Sequence, residues 1–216
     1  MKILRIAIIC VLLITIGLTA LVYPQLPDPV AAHWDAAGNA DGTLPRPWGV
    51  GLAPVLMAGF TALLLVIPRI DPLRKNYAQF RNYYEGLILA LDLFMAVVQL
   101  QILLWNLGTR VSPNVFLPIP FGLLFIYLGF VLEHTEQNWF VGIRTPWTLS
   151  SVAVWKKTHM LGGKLFKLAG IFCFGGIVLP PYAIWLILFP VLIAGIGTVV
   201  YSYVAYRQEL RDAQNS

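Results

Sequence analysis

Residues 138–159, with the sequence NWFVGIRTPWTLSSVAVWKKTH, lie within the longest interval that separates two hydrophobic runs of this chain. The interval holds three of the seven tryptophans, together with the basic residues Arg144, Lys156 and Lys157. A segment this polar and this aromatic is unusual in a chain whose residues are 58% hydrophobic. We call it the signature segment. We expect it to lie at the cytoplasmic membrane surface and to carry the recognition that the protein performs.

The composition argues against an ordinary soluble domain. Charged residues make up 12% of the 216 residues, whereas soluble domains have about 25%. Too few polar side chains are present to cover a water-exposed surface, so lipid is the expected solvent for much of the chain. The formal net charge of +5 comes from basic residues scattered between apolar runs. This pattern favours a role in membrane orientation over direct nucleic-acid binding.

Six apolar runs predict six transmembrane helices, because about 20 apolar residues in a helix cross a hydrocarbon core of about 30 Å. The predicted fold class is therefore all-α, as a polytopic integral membrane protein. The runs are residues 3–23, 49–67, 86–107, 115–133, 165–179 and 183–203. The first run could also be a cleaved signal peptide, but its length and the absence of a small-residue cleavage motif favour a retained anchor.

The distribution of Lys and Arg predicts the orientation of the chain. With the N-terminus in the cytoplasm, only Arg46 and Arg110 of the 15 basic residues fall on the outer side. The positive-inside rule therefore predicts that both termini are cytoplasmic. We divide the chain into residues 1–114, with an extracytoplasmic loop at 24–48, and residues 115–216, with a cytoplasmic loop at 134–164.

The extracytoplasmic loop is rich in proline and glycine, which predicts turns and extended pieces rather than a long helix. Gly38 suits a turn position with positive φ. His33, Asp35 and Asp41 could hold a divalent metal, since imidazole and carboxylate both bind such ions. Their spacing matches no metal-ligand motif, so a turn-rich cap without metal is the favoured interpretation.

The third run carries polar residues at intervals of seven: Glu85, Asp92, Gln99 and Asn106. Seven residues are nearly two helical turns, so the four side chains form one stripe on the helix. We call it the polar stripe. Inside a membrane such a stripe faces the helix bundle or a wet cavity. It is either a packing face held by interhelical hydrogen bonds or a polar pathway in which Asp92 titrates.

The signature segment itself predicts a short amphipathic helix on the cytoplasmic surface, between the fourth and fifth spans. Thr148 or Ser150 could cap its start, and Trp155 and His159 lie on its apolar face. Arg144 offers a planar fork of donors for a carboxylate, such as that of Glu133 or Glu136, or for a lipid phosphate. An interfacial loop anchored by tryptophans is the alternative. The segment has no spacing typical of a nucleophile and its base, a phosphate loop or a zinc site.

These residues resemble the SdpI family of bacterial membrane proteins. The resemblance rests on Asn138, the run GIRTPWTL at residues 142–149, and Val154-Trp155. The outer loop is similar to a domain of unknown function that precedes this signature in longer members, through Leu26-Pro27, His33, Gly38 and Asp41-Gly42. The family-level functional positions that match here are Asn138, Arg144, Thr145, Pro146, Trp147 and Trp155.

The resemblance implies a non-enzymatic, multi-pass protein of the bacterial cytoplasmic membrane that has no cofactor. The characterised member of the family confers immunity to a secreted toxic peptide, and it recruits a cytoplasmic repressor to the membrane. The implied partners are therefore the lipid bilayer, a peptide toxin outside and a transcriptional repressor inside. The alternative function is a small-solute or ion transporter or channel that uses the polar stripe as its path.

Overall fold

A computed structural model describes residues 2–215 of the chain, and the fold is mostly helical. The helices are α1 Lys2–Val22, α2 Arg46–Ile70, α3 Tyr77–Asn106, α4 Pro113–Phe116, α5 Pro118–His134, α6 Pro146–Ser150, α7 Val152–Cys173, α8 Gly175–Val178 and α9 Ala183–Asn215. Short 3-10 turns lie at Tyr23–Gln25, Arg74–Asn76 and Pro180–Tyr182.

Six of the described helical stretches are long and apolar enough to cross a membrane, which confirms the predicted number of spans. The stretches are Lys2–Gln25, Arg46–Ile70, Arg74–Asn106, Pro113–His134, Val152–Val178 and Pro180–Asn215. Many of their apolar side chains point outward and are exposed, as Leu13 and Leu21 are on α1. In water this surface would be unstable, because burial of apolar area is the main favourable contribution to folding. A bilayer is therefore the fitting solvent.

The six helices form two groups of three that meet along α3 and α5. The first group has α3 at its centre, with α1 and α2 packed on it. The second has α7 at its centre, with α5 and α9 on either side. Small residues allow close approach in the second group, since a Cβ on Gly163 or Gly170 would meet the backbone of α5. This agrees with the role of small residues at helix contacts in membranes.

The prediction of an all-α fold was wrong in one respect, because the outer loop contains a β-hairpin. Strand β1 (Val30–Trp34) pairs antiparallel with β2 (Ala40–Leu44), and Val30 lies opposite Leu44. Gly38 in the turn has a φ of +86°, as the sequence predicts. The hairpin forms because Val30 is fully buried against Val50 and Leu103 of the helices, so the strand has a core to pack on.

The separate amphipathic surface helix was also predicted wrongly. Residues 152–164, expected to lie on the surface, form the first turns of α7, which continues to Cys173 without a break. The lysines of this stretch suggested an end to the membrane span. The lysine side chains occupy the exposed face of the helix, so they do not interrupt its backbone hydrogen bonds. The opposite face, which includes Trp155, His159 and Gly162, is buried.

The two ends of the bundle have different characters. At one end, the loop after α5 contacts the turn between α2 and α3, and Ser151 donates a hydrogen bond to Glu209 of α9 at 2.9 Å. We call this the signature end. At the other end lies the β-hairpin, where Asn106 at the end of α3 bonds both backbone groups of Ala31. We call this the hairpin end.

Candidate functional site

Asn138 organises the first half of the signature segment. Its side chain is fully buried. The Oδ1 atom accepts hydrogen bonds from the backbone N–H groups of Phe140 (2.9 Å) and Val141 (2.7 Å). The Nδ2 atom donates to the carbonyl oxygens of Glu136 and Val141, both at 2.9 Å. One amide side chain thus satisfies four backbone groups, which folds residues 136–141 into a fixed turn.

The turn is fastened to the first helical group through Asp71. Its carboxylate is buried and accepts hydrogen bonds from the N–H of Leu73, the N–H of Trp139 and the hydroxyl of Tyr77. The single hydroxyl proton of Tyr77 is shared between Asp71 Oδ2 at 3.0 Å and Asn138 Oδ1 at 3.2 Å. This contact joins two loops that lie 61 residues or more apart in sequence.

Thr145 and Thr148 shape the second half of the segment. They form a capping box at the start of α6, in which each side chain bonds the backbone N–H of the other. This arrangement satisfies amides that a helix start leaves free. Thr145 Oγ1 also lies 3.0 Å from Ser202 Oγ on α9. The sequence predicted a cap by Thr148 or Ser150, whereas Thr145 caps α6 and Ser151 caps α7.

Gly142, Trp155 and His159 lie together in the interior. Gly142 has a φ of +115°, a conformation that L side chains rarely adopt, and it packs against the other two rings. The indole of Trp155 is fully buried, donates to the carbonyl of Thr135 at 2.9 Å, and stacks on His159 at 3.9 Å. His159 Nε2 accepts the N–H of Ile143. That nitrogen therefore carries no proton and is not free to act as a base.

Other residues of the segment remain on the surface. Trp139 is 51% exposed, Pro146 and the guanidinium of Arg144 are also exposed, and so are Lys156 and Lys157. Trp147 packs on Tyr203 at 5.1 Å. We call Trp139, Arg144, Pro146 and Lys156 the exposed signature face. It combines aromatic, cationic and apolar groups, as protein-binding surfaces do.

The contacts of Arg144 differ from those expected. Arg144 Nη1 donates to the carbonyl of Trp139 at 2.8 Å, not to Glu133 or Glu136. Glu133 pairs instead with Lys167 at 2.7 Å, and Glu136 lies 4.0 Å from Lys156. Within residues 2–215 Arg144 makes no further hydrogen bond, so most of its five donors are free for a partner.

The polar stripe of α3 bonds a different element at each position. Glu85 forms an ion pair with Arg5 of α1 at 2.9 Å, and the hydroxyl of Thr61 on α2 lies 2.7 Å from the carboxylate of Asp92. Gln99 donates to Thr19 of α1 and to the carbonyl of Val50. Asn106 bonds β1, as described above. Glu85, Asp92 and Gln99 are at most 3% exposed. This geometry favours the packing interpretation over a wet pathway, and transport along the stripe remains a prediction.

Only two of the three candidate metal ligands of the outer loop meet, His33 and Asp41. His33 Nδ1 pairs with Asp41 Oδ1 at 2.5 Å on the exposed side of the hairpin. Asp35 accepts the backbone N–H of Asn39 at 2.8 Å and closes the hairpin turn. That hydrogen bond lowers the pKa of Asp35. No group of three His, Cys, Asp or Glu side chains among residues 2–215 is arranged to hold a metal ion.

Sequence reasoning missed Asp71, Tyr77 and Ser202. Asp71 precedes a proline in a short turn, where a carboxylate that accepts nearby N–H groups is common; this was the available signal. Tyr77 was not recognised because it lies before the third apolar run, although α3 begins there. Ser202 sits in the last apolar helix and had no signal that sets it apart from a helix-packing serine.

Two known protein families match segments of the chain, and one known protein matches it along nearly its whole length. Residues 134–202 match the SdpI/YfhL protein family, and residues 10–58 match a domain of unknown function (DUF1648). The chain is 26% identical to the immunity protein SdpI of Bacillus subtilis (strain 168) over 209 residues, which cover 96% of each chain. No solved structure matches. The SdpI/YfhL match begins at the end of α5 and includes the whole signature segment.

Proposed function

We propose that this chain, whose residues 134–202 match the SdpI/YfhL protein family, protects a bacterial cell against a secreted toxic peptide. The observation that carries the proposal is the similarity to an immunity protein along 96% of both chains. The shared region includes the hairpin end as well as the signature end. A protein that protects by using both ends of the bundle is expected to resemble its functional relatives along the whole chain, as this one does.

The exposed signature face is the proposed docking surface for a cytoplasmic repressor. The buried side chains of Asn138, Thr145 and Trp155 hold the shape of the segment. Trp139, Arg144 and Lys156 point outward with donors and apolar area free. A partner with carboxylates would match the two cations, because Arg binds a carboxylate through two parallel hydrogen bonds. Tryptophan and arginine are also the residues on which binding energy concentrates in protein interfaces.

The proposed orientation puts the signature end in the cytoplasm. Arg5, Arg81, Arg144 and Lys167 all belong to segments that contact one another at this end, whereas Arg46 lies beside the hairpin. The positive-inside rule then favours cytoplasmic termini. In the same scheme residues 1–114 and 115–216 are two regions, of which the first would meet a peptide arriving from outside.

The test is protection of a sensitive cell. We expect production of this protein in a Bacillus subtilis strain without its immunity protein SdpI to restore growth in the presence of the secreted peptide against which that protein gives immunity. Membrane insertion is measured in parallel by fractionation. Equal killing with and without the protein, at verified membrane levels, would refute protection against that peptide. Unrelated membrane-active peptides are the control for a non-specific effect.

A further inference from the structure

A cavity of about 360 Å³ opens at the signature end between α1, α2 and α3. Four arginines line it: Arg5, Arg69, Arg74 and Arg81. Glu85 is the one acidic side chain among the lining residues. Four guanidinium groups against one carboxylate give the cavity a formal charge of +3.

The arginines are not neutralised within the chain. Arg5 and Arg81 both bond the same atom, Glu85 Oε1, at 2.9 to 3.0 Å. Arg69 and Arg74 form no ion pair or side-chain hydrogen bond with any part of the chain from residue 2 to residue 215. Fixed positive charge in a partly enclosed site attracts an anion, and arginine forks fit phosphate oxygens in particular.

Glu85 supplies a second and independent indication of a ligand. Its side chain is only 3% exposed, yet its Oε2 atom has no hydrogen-bond donor in the described chain. Leaving a buried acceptor unsatisfied is costly. The two arginines that reach Glu85 both use Oε1, so the missing donor should come from the occupant. The occupant therefore needs a hydroxyl or a similar donor as well as a negative charge.

The position of the cavity selects a lipid among such molecules. Leu65, Pro68 and Ile88 line its other wall, and exposed apolar residues such as Ile6 and Ile9 continue along α1. An acyl chain could lie on this surface while its phosphate meets the arginines. Basic pockets between transmembrane helices bind anionic headgroups in this way. We propose that the cavity binds an anionic phospholipid whose headgroup carries a hydroxyl, such as phosphatidylglycerol.

The test measures the binding of labelled phosphatidylglycerol to the purified protein in detergent. We expect saturable binding, and an affinity about tenfold or more lower in the double variant R69A/R74A, since each lost charge-assisted contact weakens binding. These two arginines have no partner in the fold, so the variant should stay folded, as far-ultraviolet circular dichroism would verify. The matched control is K157A/K164A, which removes the same charge from two exposed lysines of α7 and should bind normally.

Two competitors distinguish the sources of the phosphate and the role of the hydroxyl. Phosphatidylmethanol has the same charge but no headgroup hydroxyl, and we expect it to compete less well than phosphatidylglycerol. Inorganic phosphate should not compete at equal concentration, because it has no acyl chains. If inorganic phosphate competed as strongly as the lipid, the ligand of the cavity would be a soluble anion, and the proposal would be overturned. Equal affinity of R69A/R74A and the wild type would also overturn it.

Discussion

Replacing Asn138 by Asp is expected to destabilise the folded protein by about 3 kcal/mol or more, although the two side chains have nearly the same shape. The amide of Asn138 donates to the carbonyls of Glu136 and Val141. A carboxylate cannot donate there. It would also bring a charge into a fully buried site, beside the Tyr77 hydroxyl that already donates a hydrogen bond to Asp71.

The measurement is chemical or thermal unfolding in detergent, followed by circular dichroism. Amide hydrogen exchange should locate the damage, with faster exchange at Phe140 and Val141, whose N–H groups bond Asn138. Asn82→Asp is the matched control, because Asn82 is an exposed residue of α3 and its replacement should change stability by less than about 0.5 kcal/mol. Equal stability of N138D and N82D would show that the turn does not depend on Asn138.

Replacing Trp155 by Ala is the second large effect. The ring is fully buried, stacks on His159 and donates to Thr135. Removing a buried Trp leaves a cavity and typically costs about 3–5 kcal/mol. Here the substitution also leaves the carbonyl of Thr135 without its donor. We expect a large fall in the thermal midpoint and loss of the fixed position of the loop after α5.

Trp139→Ala is the matched control for the same residue type. Trp139 is 51% exposed and its side chain lies on the exposed signature face. Its replacement should change the unfolding free energy by less than about 0.5 kcal/mol, yet it should weaken docking of a partner. If W139A destabilised the protein as much as W155A, the division of the signature segment into buried support and exposed face would be wrong.

The membrane spans were predictable because hydropathy and helix length are properties of a single segment of the sequence. A run of apolar residues identifies a span without knowledge of its neighbours. The periodic placement of Glu85, Asp92 and Gln99 predicted a shared face on α3, and all three are buried there. Their partners, Arg5, Thr61 and Thr19, are on other helices and could not be identified from spacing alone.

The signature segment was recognised by composition, but its internal structure was not. Trp155 and His159 were assigned to a surface helix because Lys156 and Lys157 adjoin them in sequence. The structure buries the aromatic face against the loop, since the carbonyl of Thr135 accepts from Trp155 and the N–H of Ile143 donates to His159. Such pairings depend on the path of the loop. That path is set by Asp71 and Ser202, both remote in sequence.

The most direct measurement is the protection given by R144A per unit of folded protein in the membrane. Arg144 bonds one backbone carbonyl and leaves its other donors free, so the variant should keep the wild-type thermal midpoint. Protection against the toxic peptide should fall about tenfold or more, as expected if protection requires the charge-assisted contact that the free donors of Arg144 make with a partner. K164A, which removes an exposed lysine of α7 outside the signature segment, should protect normally. Full protection by R144A at equal folded levels would contradict a role for the exposed signature face in protection.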